Sequence, residues 1–207
     1  MVQEDRRTST AEYESLSMKR LLKIAIVGAE CTGKSILAKG LSDYFSEYHS
    51  TDWVPEYLRF FVEESQRTPL AFEQILIARE QKALEARLEQ SLQNSSKDSD
   101  YALLFCDTTP LLTSIYSRVI FGKADSLVDQ IAEQHDYDLT LLTQIDLPWV
   151  SDGVQRDGPK TQTAVHEMLQ MRLKELQIPY QMITGSFEQR ALQAQEYVSN
   201  LIKQHQI

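Results

Sequence analysis

The chain alternates between short apolar runs and longer segments in which apolar residues recur every three or four positions. The first run, at 21–27, contains one lysine and is otherwise apolar, which is typical of a strand buried on both faces of a sheet. Four further short runs also have the length of strands. The predicted strands are 22–27, Thr51–Val54, Ala102–Cys106, Leu139–Thr143 and Tyr180–Ile183.

Segments with helical periodicity separate all five predicted strands. They are 34–46, Leu58–Glu64, Leu70–Leu92, Pro110–Phe121, Ser126–Glu133, Thr161–Gln177 and Phe187–Leu201. This alternation predicts an α/β domain of three layers, with a five-stranded, mostly parallel sheet and helices on both of its faces. In such a domain the ligand lies at the carboxyl ends of the strands.

Each of the first three predicted strands is followed by a glycine-rich or charged segment. The first leads into a loop at 28–35, the second into Pro55-Glu56, and the third into Asp107-Thr108. We expect these three strand ends to meet in space. A further irregular segment at 151–160, with two glycines, a proline and basic side chains, is predicted to be a mobile lid.

The loop after the first strand has the phosphate-loop pattern of glycine, four residues and Gly-Lys-Ser. Its residues are Gly28, Ala29, Glu30, Cys31, Thr32, Gly33, Lys34 and Ser35. In this motif backbone N–H groups surround a di- or triphosphate at the N-terminus of a helix, whose dipole also favours negative charge. The sequence therefore predicts an ATP site, in which Lys34 reaches the β- and γ-phosphates and Ser35 holds Mg²⁺.

Asp107 follows four apolar residues, which is how a strand of the Walker-B type presents a carboxylate to the magnesium of a bound nucleotide. We expect Asp107 to be catalytic and to contribute to the metal site and to the substrate site. An N-cap role for the same side chain is the alternative, because a helix is predicted to begin near Pro110.

Glu56 lies just past the second strand, where a carboxylate can accept the proton of an attacking hydroxyl group. Arg59, one helical turn later, is a candidate to bind substrate, and a surface salt bridge between the two is the alternative. Trp53 and Tyr57 flank Glu56 and are candidates for an aromatic wall around a planar or cationic base, with core packing as the alternative.

Two basic residues of the predicted lid, Arg156 and Lys160, are candidates to close over the γ-phosphate and stabilise charge in the transition state. Of the two, Arg156 is the candidate catalytic residue. Basic residues are also common on surface loops, so an exposed position without a role is the alternative for both.

Length and composition limit the classes of function. A chain of 207 residues accommodates a single domain, which we place at 21–207 after a flexible N-terminal arm at 1–20. The net charge of −9 disfavours nucleic-acid binding. No apolar run is long enough to cross a membrane, and two cysteines do not make a disulfide framework, so we expect a cytoplasmic protein.

Four segments together resemble the ribosylnicotinamide kinase domain of the NadR-type NAD-biosynthesis proteins. They are Gly28–Ser35, Glu56–Arg59, Phe105–Thr108 and Leu147–Arg156. The last is the most specific, because an unrelated phosphate-loop protein has no reason to share its Pro-Trp-Val-x-Asp-Gly-x-x-Arg pattern. The resemblance extends from about Lys23 to Tyr197 and implies a phosphate-loop kinase fold.

The resemblance implies transfer of the γ-phosphate of ATP to the 5′-hydroxyl of nicotinamide riboside, with Glu56 and Arg59 on the riboside side. The chain departs from the family's pattern at Cys31 and Thr32, where serines are expected, and it lacks the His-x-Gly-His signature of an adenylyltransferase. A separate adenylyltransferase is therefore a candidate protein partner. A second copy of this chain is another candidate partner. The alternative functions are a deoxynucleoside or nucleotide kinase and an ATP-binding regulatory switch.

Overall fold

A parallel sheet of five strands forms the centre of the structure, a computed structural model that describes residues 19–97, 99–149 and 158–206. The strands are β1 (Arg20–Val27), β2 (Ser50–Val54), β3 (Tyr101–Asp107), β4 (Leu139–Thr143) and β5 (Gln181–Ile183). Their spatial order is β2-β3-β1-β4-β5, and every neighbouring pair is parallel. The predicted α/β fold is confirmed, although β1 already begins at Arg20, which was assigned to the flexible arm.

Seven α helices connect or follow the strands in the described residues. They are α1 (Lys34–Phe45), α2 (Tyr57–Ser65), α3 (Gln74–Gln93), α4 (Pro110–Phe121), α5 (Ser126–Glu133), α6 (Pro159–Glu175) and α7 (Phe187–Gln204). The helix predicted from Leu70 begins instead with a 3₁₀ turn at Ala71–Glu73, and α3 follows it directly. None of the described helices is long and apolar enough to cross a membrane.

The central strand β1 is buried on both faces because helices cover the sheet from both sides. Leu22, Ile24 and Ile26 belong to a core shared with α1 and α7, whereas Ala25 and Val27 belong to a core shared with α4 and α6. This distribution follows from the two-residue period of a strand, which directs alternate side chains to opposite faces. It also explains the nearly continuous apolar run in the sequence.

The strand order brings the three predicted site segments to one edge of the sheet. Strands β2, β3 and β1 are neighbours, and their carboxyl ends carry Glu56, Asp107 and the loop at 28–35 respectively. Asp107 is in register with Ile26, two residues before the loop begins. The expectation that these strand ends meet is therefore confirmed.

Candidate functional site

The loop between β1 and α1 has the backbone geometry that its glycines predict. Gly33 has a φ of 77°, a left-handed conformation that glycine adopts without steric cost. At Gly28 a Cβ atom would lie 2.1 Å from the hydroxyl oxygen of Thr143, so strand β4 leaves no space for a side chain. Both glycines of the motif are therefore required by the fold as well as by the chemistry.

Several side chains donate hydrogen bonds to the carbonyl oxygens of this loop. Gln162 of α6 donates to the carbonyl of Glu30 at 2.8 Å, and the Thr32 hydroxyl donates to the carbonyl of Ala29 at 2.8 Å. In a trans peptide the carbonyl and the following N–H point in opposite directions. Carbonyls turned toward protein donors therefore leave the N–H groups of the next residues directed away from those donors, as a phosphate cradle requires.

Arg190 also binds this loop, and the sequence analysis did not identify it. Its guanidinium donates to the carbonyl oxygens of Thr32 at 3.1 Å and Gln144 at 3.0 Å, to the carbonyl oxygen of Gly185 at 2.8 Å, and to the carboxylate of Asp146. Only 2% of the residue is exposed. One feature of the sequence could have identified it: Arg190 lies on the apolar face of the helix predicted there, at four-residue spacing from Ala194 and Val198.

A cavity of about 790 Å³ opens beside the loop, a volume suited to a small molecule. Residues 30–36 form one side of it, and helices α2, α3 and α4 form much of the rest. The apolar part of its wall includes Leu58, Val62, Leu70, Ile77, Leu112, Tyr116, Ile120 and Phe121. A ligand bound to the loop can thus extend into a partly enclosed, largely apolar space.

Glu56 lines this cavity immediately before α2 begins. The Nε of Arg59, which also lines the cavity, donates to the Glu56 carboxylate at 3.3 Å, so the salt bridge considered from the sequence is present. Arg59 is 45% exposed, and an ion pair of this kind contributes at most about 1 kcal/mol. The pair therefore leaves both side chains able to turn toward a ligand.

Asp107 ends β3 and is fully buried. No hydrogen bond of ordinary geometry reaches either of its carboxylate oxygens from the described residues, although the Ser35 hydroxyl is close enough to act on the carboxylate. Burial first, and then the negative charge of Glu56, raise the pKa of Asp107 to about 6. Lys34, the Ser35 hydroxyl and Arg59 act in the opposite direction. Helix α4 has Thr109 at its N-cap and no side-chain cap bond, so Asp107 does not take the alternative capping role.

A buried carboxylate without hydrogen bonds is costly unless a cation or a donor compensates it. Asp107 and Ser35, which are adjacent at the loop, offer oxygen atoms of the kind that Mg²⁺ takes as ligands together with nucleotide phosphates. No group of three or more His, Cys, Asp or Glu side chains in the described ranges could hold a metal ion. The residues present therefore fit a magnesium ion that is shared with a nucleotide.

Lys34 is placed at the first turn of α1, with only 7% of its surface exposed. Its Nζ donates to the carbonyl oxygen of Ala29 at 2.8 Å, which keeps the ammonium group inside the loop. The same ammonium group is close enough to Asp107 to lower its pKa. The structure thus brings Lys34, Ser35, Glu56 and Asp107 together.

Other predicted residues lie elsewhere. Trp53 is in register with Phe105 and packs against the core shared with α1 and α7, so it does not line the cavity. Tyr57 is also outside the cavity wall, with its ring 6.4 Å from that of Phe60. The expected aromatic wall beside Glu56 is therefore not formed by this pair, because strand alternation directs Trp53 to the opposite core.

Residues 151–157 of the predicted lid, with Arg156 among them, lie outside the described residues. The final part of the predicted segment is helical instead. Lys160 lies exposed in the first turn of α6, because the Gly158-Pro159 pair begins that helix. Lys160 is not among the residues that line the cavity.

Comparison with known proteins agrees with this fold. The trifunctional NAD biosynthesis/regulator protein NadR of Salmonella typhimurium is 22% identical over 183 residues, which are 86% of this chain and 42% of that protein. The solved NadR protein in complex with NR matches with a TM-score of 0.69 and 17% identity, over 90% of this chain and 52% of that chain. The chain thus spans about half the length of these relatives.

Two further solved structures share the fold. The NadR protein in complex with NAD and AMP-PNP matches with a TM-score of 0.64 and 16% identity, over 89% of this chain and 49% of that chain. Thymidylate kinase from Ehrlichia chaffeensis matches with a TM-score of 0.60 and 16% identity, over 86% of this chain and 99% of that chain. The resemblance to NadR and the phosphate-loop kinase fold are confirmed.

A family profile covers most of the chain. The profile of the AAA domain matches residues 23–190, from the middle of β1 to the arginine that holds the phosphate loop. This range includes the loop, Glu56 and Asp107. The chain therefore belongs to the AAA domain family and is homologous to NadR.

Proposed function

We propose that this protein transfers the γ-phosphate of ATP to the 5′-hydroxyl of nicotinamide riboside, giving nicotinamide mononucleotide for NAD biosynthesis or salvage. The observation that carries the proposal is the placement of Glu56 and Asp107 at adjacent strand ends, beside the phosphate loop. Glu56 borders a cavity of a size suited to a nucleoside. The homology to NadR, which has been solved with NR, supports this acceptor.

In the proposed reaction the loop at 28–35 binds the phosphates through its backbone N–H groups, and Lys34 contacts the β- and γ-phosphates. Glu56 accepts the proton of the attacking hydroxyl group, which must approach within hydrogen-bond distance of its carboxylate. Ser35 and Asp107 would hold Mg²⁺, which neutralises charge on the phosphates when it is bound. Arg156 would add positive charge near the γ-phosphate.

The cavity wall supports an acceptor that combines apolar and amide groups. Gln74 is only 7% exposed at the start of α3 and lines the cavity, whose wall as a whole is largely apolar. A glutamine amide offers both a donor and an acceptor, which complement the two groups of a carboxamide. A nicotinamide ring has that combination, with its carboxamide on a planar ring.

A second candidate function is phosphorylation of a deoxynucleoside or nucleotide. It is supported by the shared fold with a thymidylate kinase, whose chain is covered almost completely. The amide of Gln74 would also suit the edge of a pyrimidine base. A regulatory switch that binds ATP without transferring phosphate is a third candidate, and it needs no acceptor pocket.

The experiment that tests the proposal measures phosphorylated products by mass spectrometry after incubation with ATP and Mg²⁺. Nicotinamide riboside, thymidine, deoxycytidine and thymidylate are offered separately, with a sample without acceptor as the control. We expect nicotinamide mononucleotide as the main product. Product from only a deoxynucleoside or nucleotide would establish the second candidate, and no phosphorylated product would favour the switch.

The cellular location and the protein partners are part of the same proposal. A cytoplasmic location suits an enzyme of NAD salvage, and the product would pass to a separate adenylyltransferase. A homo-oligomer remains a prediction that gel filtration with light scattering tests.

A further inference from the structure

The turn that carries Glu56 is held by a side chain from another helix. Gln81 of α3, of which 2% is exposed, donates from its Nε2 to the carbonyl oxygen of Pro55 at 3.3 Å. Its Oε1 accepts from the backbone N–H of Tyr57 at 2.8 Å. One amide group therefore binds the backbone on both sides of Glu56.

We propose that Gln81 is a positioning residue that fixes the backbone turn from which Glu56 projects, an inference that rests on the proposed role of Glu56. Glu56 is the N-cap of α2, and its side chain makes no capping bond. The first N–H groups of a helix have no partners within the helix, and the N-cap side chain commonly provides one. Gln81 accepts from one of these N–H groups, that of Tyr57, and the N–H of Arg59 donates to the backbone carbonyl oxygen of Glu56 at 3.2 Å. The Glu56 carboxylate is therefore not used to cap the helix and remains available to the cavity.

The helix that carries Gln81 is itself anchored to the strand that leads into the phosphate loop. Glu85 lies one turn further along the same buried face of α3 and is completely buried. It accepts from the hydroxyl of Tyr137 at 2.7 Å and pairs with Lys82 at 2.9 Å. The ammonium group of Lys23, a residue of β1, lies 3.5 Å from its carboxylate.

Gln81 and Glu85 thus connect the turn that carries the proposed base, Glu56, with strand β1, which leads into the phosphate loop. Glu85 fixes α3 relative to β1, and Gln81 fixes the Glu56 turn relative to α3. Because a displacement of about 1 Å in a catalytic group can lower the rate about a hundredfold, such a connection has consequences for turnover. A residue that only stabilised α3 would not selectively lower the rate of the step in which Glu56 accepts a proton.

The test is a double-mutant cycle of Gln81→Met and Glu56→Gln, measured with the acceptor that gives the most product. We expect Gln81→Met to lower kcat about tenfold or more in the wild-type background, and less than about twofold when Glu56 is already glutamine. The KM for ATP should change by less than about twofold in each case. Gln90→Met, at an exposed glutamine of the same helix, is the matched control and should leave kcat unchanged.

A second measurement does not depend on activity. Hydrogen exchange of the Tyr57 amide should become about tenfold faster or more in Gln81→Met, and remain unchanged in Gln90→Met. If Gln81→Met does not fold, Gln81→Glu replaces it, because the carboxylate retains the acceptor for Tyr57 and loses the donor to Pro55. Gln81→Glu should also lower kcat when residue 56 is glutamate and have little effect when it is glutamine. Hydrogen exchange of the Tyr57 amide should stay as slow as in the wild type.

Two outcomes would overturn the inference and leave the function of Glu56 intact. One is an equal loss of kcat from the Gln81 variant in both backgrounds, which would show a role independent of Glu56. The other is an unchanged kcat in the Gln81 variant while Glu56→Gln is impaired. An unimpaired Glu56→Gln would instead reject the proposed role of Glu56 and the inference with it.

Discussion

The guanidinium of Arg190 donates a 3.1 Å hydrogen bond to the carbonyl oxygen of Thr32, although 158 residues separate the two in the chain. The same side chain bonds to the ends of β4 and β5, and Asp146 supplies the opposite charge. The phosphate loop is therefore held in shape from the C-terminal part of the domain. This relationship explains why an arginine is buried on a helix face that is otherwise apolar.

Replacing Arg190 with methionine should weaken both the fold and ATP binding. The loop loses a donor, and the charge of Asp146 loses its partner, although Asp146 is 34% exposed and water compensates it in part. We expect a loss of about 2–3 kcal/mol in the free energy of unfolding, measured by urea denaturation. The Kd for ATP should rise about tenfold by calorimetry, because the cradle is no longer preorganised.

Arg87→Met is the matched control, because Arg87 is exposed and its nearest carboxylate is 3.8 Å away. It should change stability by less than about 0.5 kcal/mol. Equal effects of the two substitutions would reject a special role for Arg190.

Lys34→Ala should abolish phosphoryl transfer without unfolding the protein. In the part of the chain that the structure describes, its ammonium group bonds within the loop, to the carbonyl of Ala29, so its removal leaves the core intact. Product formation should fall below detection, while the far-UV circular dichroism spectrum is retained. Lys39→Ala, at an exposed position on the same helix, is the control. An active Lys34→Ala variant would contradict the assignment of the site.

Glu56→Gln should lower turnover more than ATP affinity, because glutamine retains the shape of the side chain and cannot accept a proton. We expect kcat to fall about 10- to 100-fold with less than about a threefold change in the Kd for ATP. Glu64→Gln, on an exposed part of the same helix, should behave like the wild type. Equal losses in kcat and affinity, or no loss in either, would remove Glu56 as the base.

The pKa of Asp107 predicts a pH dependence of stability. Burial and the charge of Glu56 raise this pKa to about 6 in the fold, from an ordinary value of 3.8. Between these two values the folded state retains a proton on Asp107 that the unfolded chain has lost, so the contribution of Asp107 to wild-type stability falls as the pH rises from about 4 to about 6. Above about pH 6 the loss in the free energy of unfolding that Asp107 causes is constant, at up to about 3 kcal/mol.

Asp107→Asn cannot ionise and should escape this penalty. Its stability relative to the wild type should increase from pH 4 to pH 6 and then level off, as measured by urea denaturation at several pH values. Titrating groups that do not interact with Asp107 are common to both proteins and cancel in the difference. A difference in stability that is independent of pH would show that Asp107 ionises at its ordinary pKa in the fold.

The strands, the helices and the phosphate loop could be predicted because their signals are local. The run at 21–27 is apolar on both faces, and the Gly-Lys-Ser pattern follows it directly. The meeting of Glu56 and Asp107 also followed from the rule that parallel strands end at one edge. Helix α6 had a local signal too, since Gly158-Pro159 marks its first turn, and Lys160 therefore belongs to a helix.

The supporting contacts could not be predicted, because they join segments that are distant in the sequence. Gln81 binds a turn about 25 residues away, and nothing in its own neighbourhood distinguishes it from the other glutamines of α3. The position of Trp53 depends on which face of the sheet α1 and α7 cover. Once β2 is paired with β3, the shared face of Trp53 and Phe105 follows from the register.

The most direct test of the account is a crystal structure of the protein with a non-hydrolysable ATP analogue, Mg²⁺ and nicotinamide riboside. We predict phosphate oxygens bound to the backbone N–H groups of residues 29–35. The 5′-hydroxyl oxygen should lie about 2.6–3.2 Å from the Glu56 carboxylate and face the γ-phosphate. A riboside bound away from Glu56, or a polyphosphate held elsewhere than on the loop, would contradict the central claim.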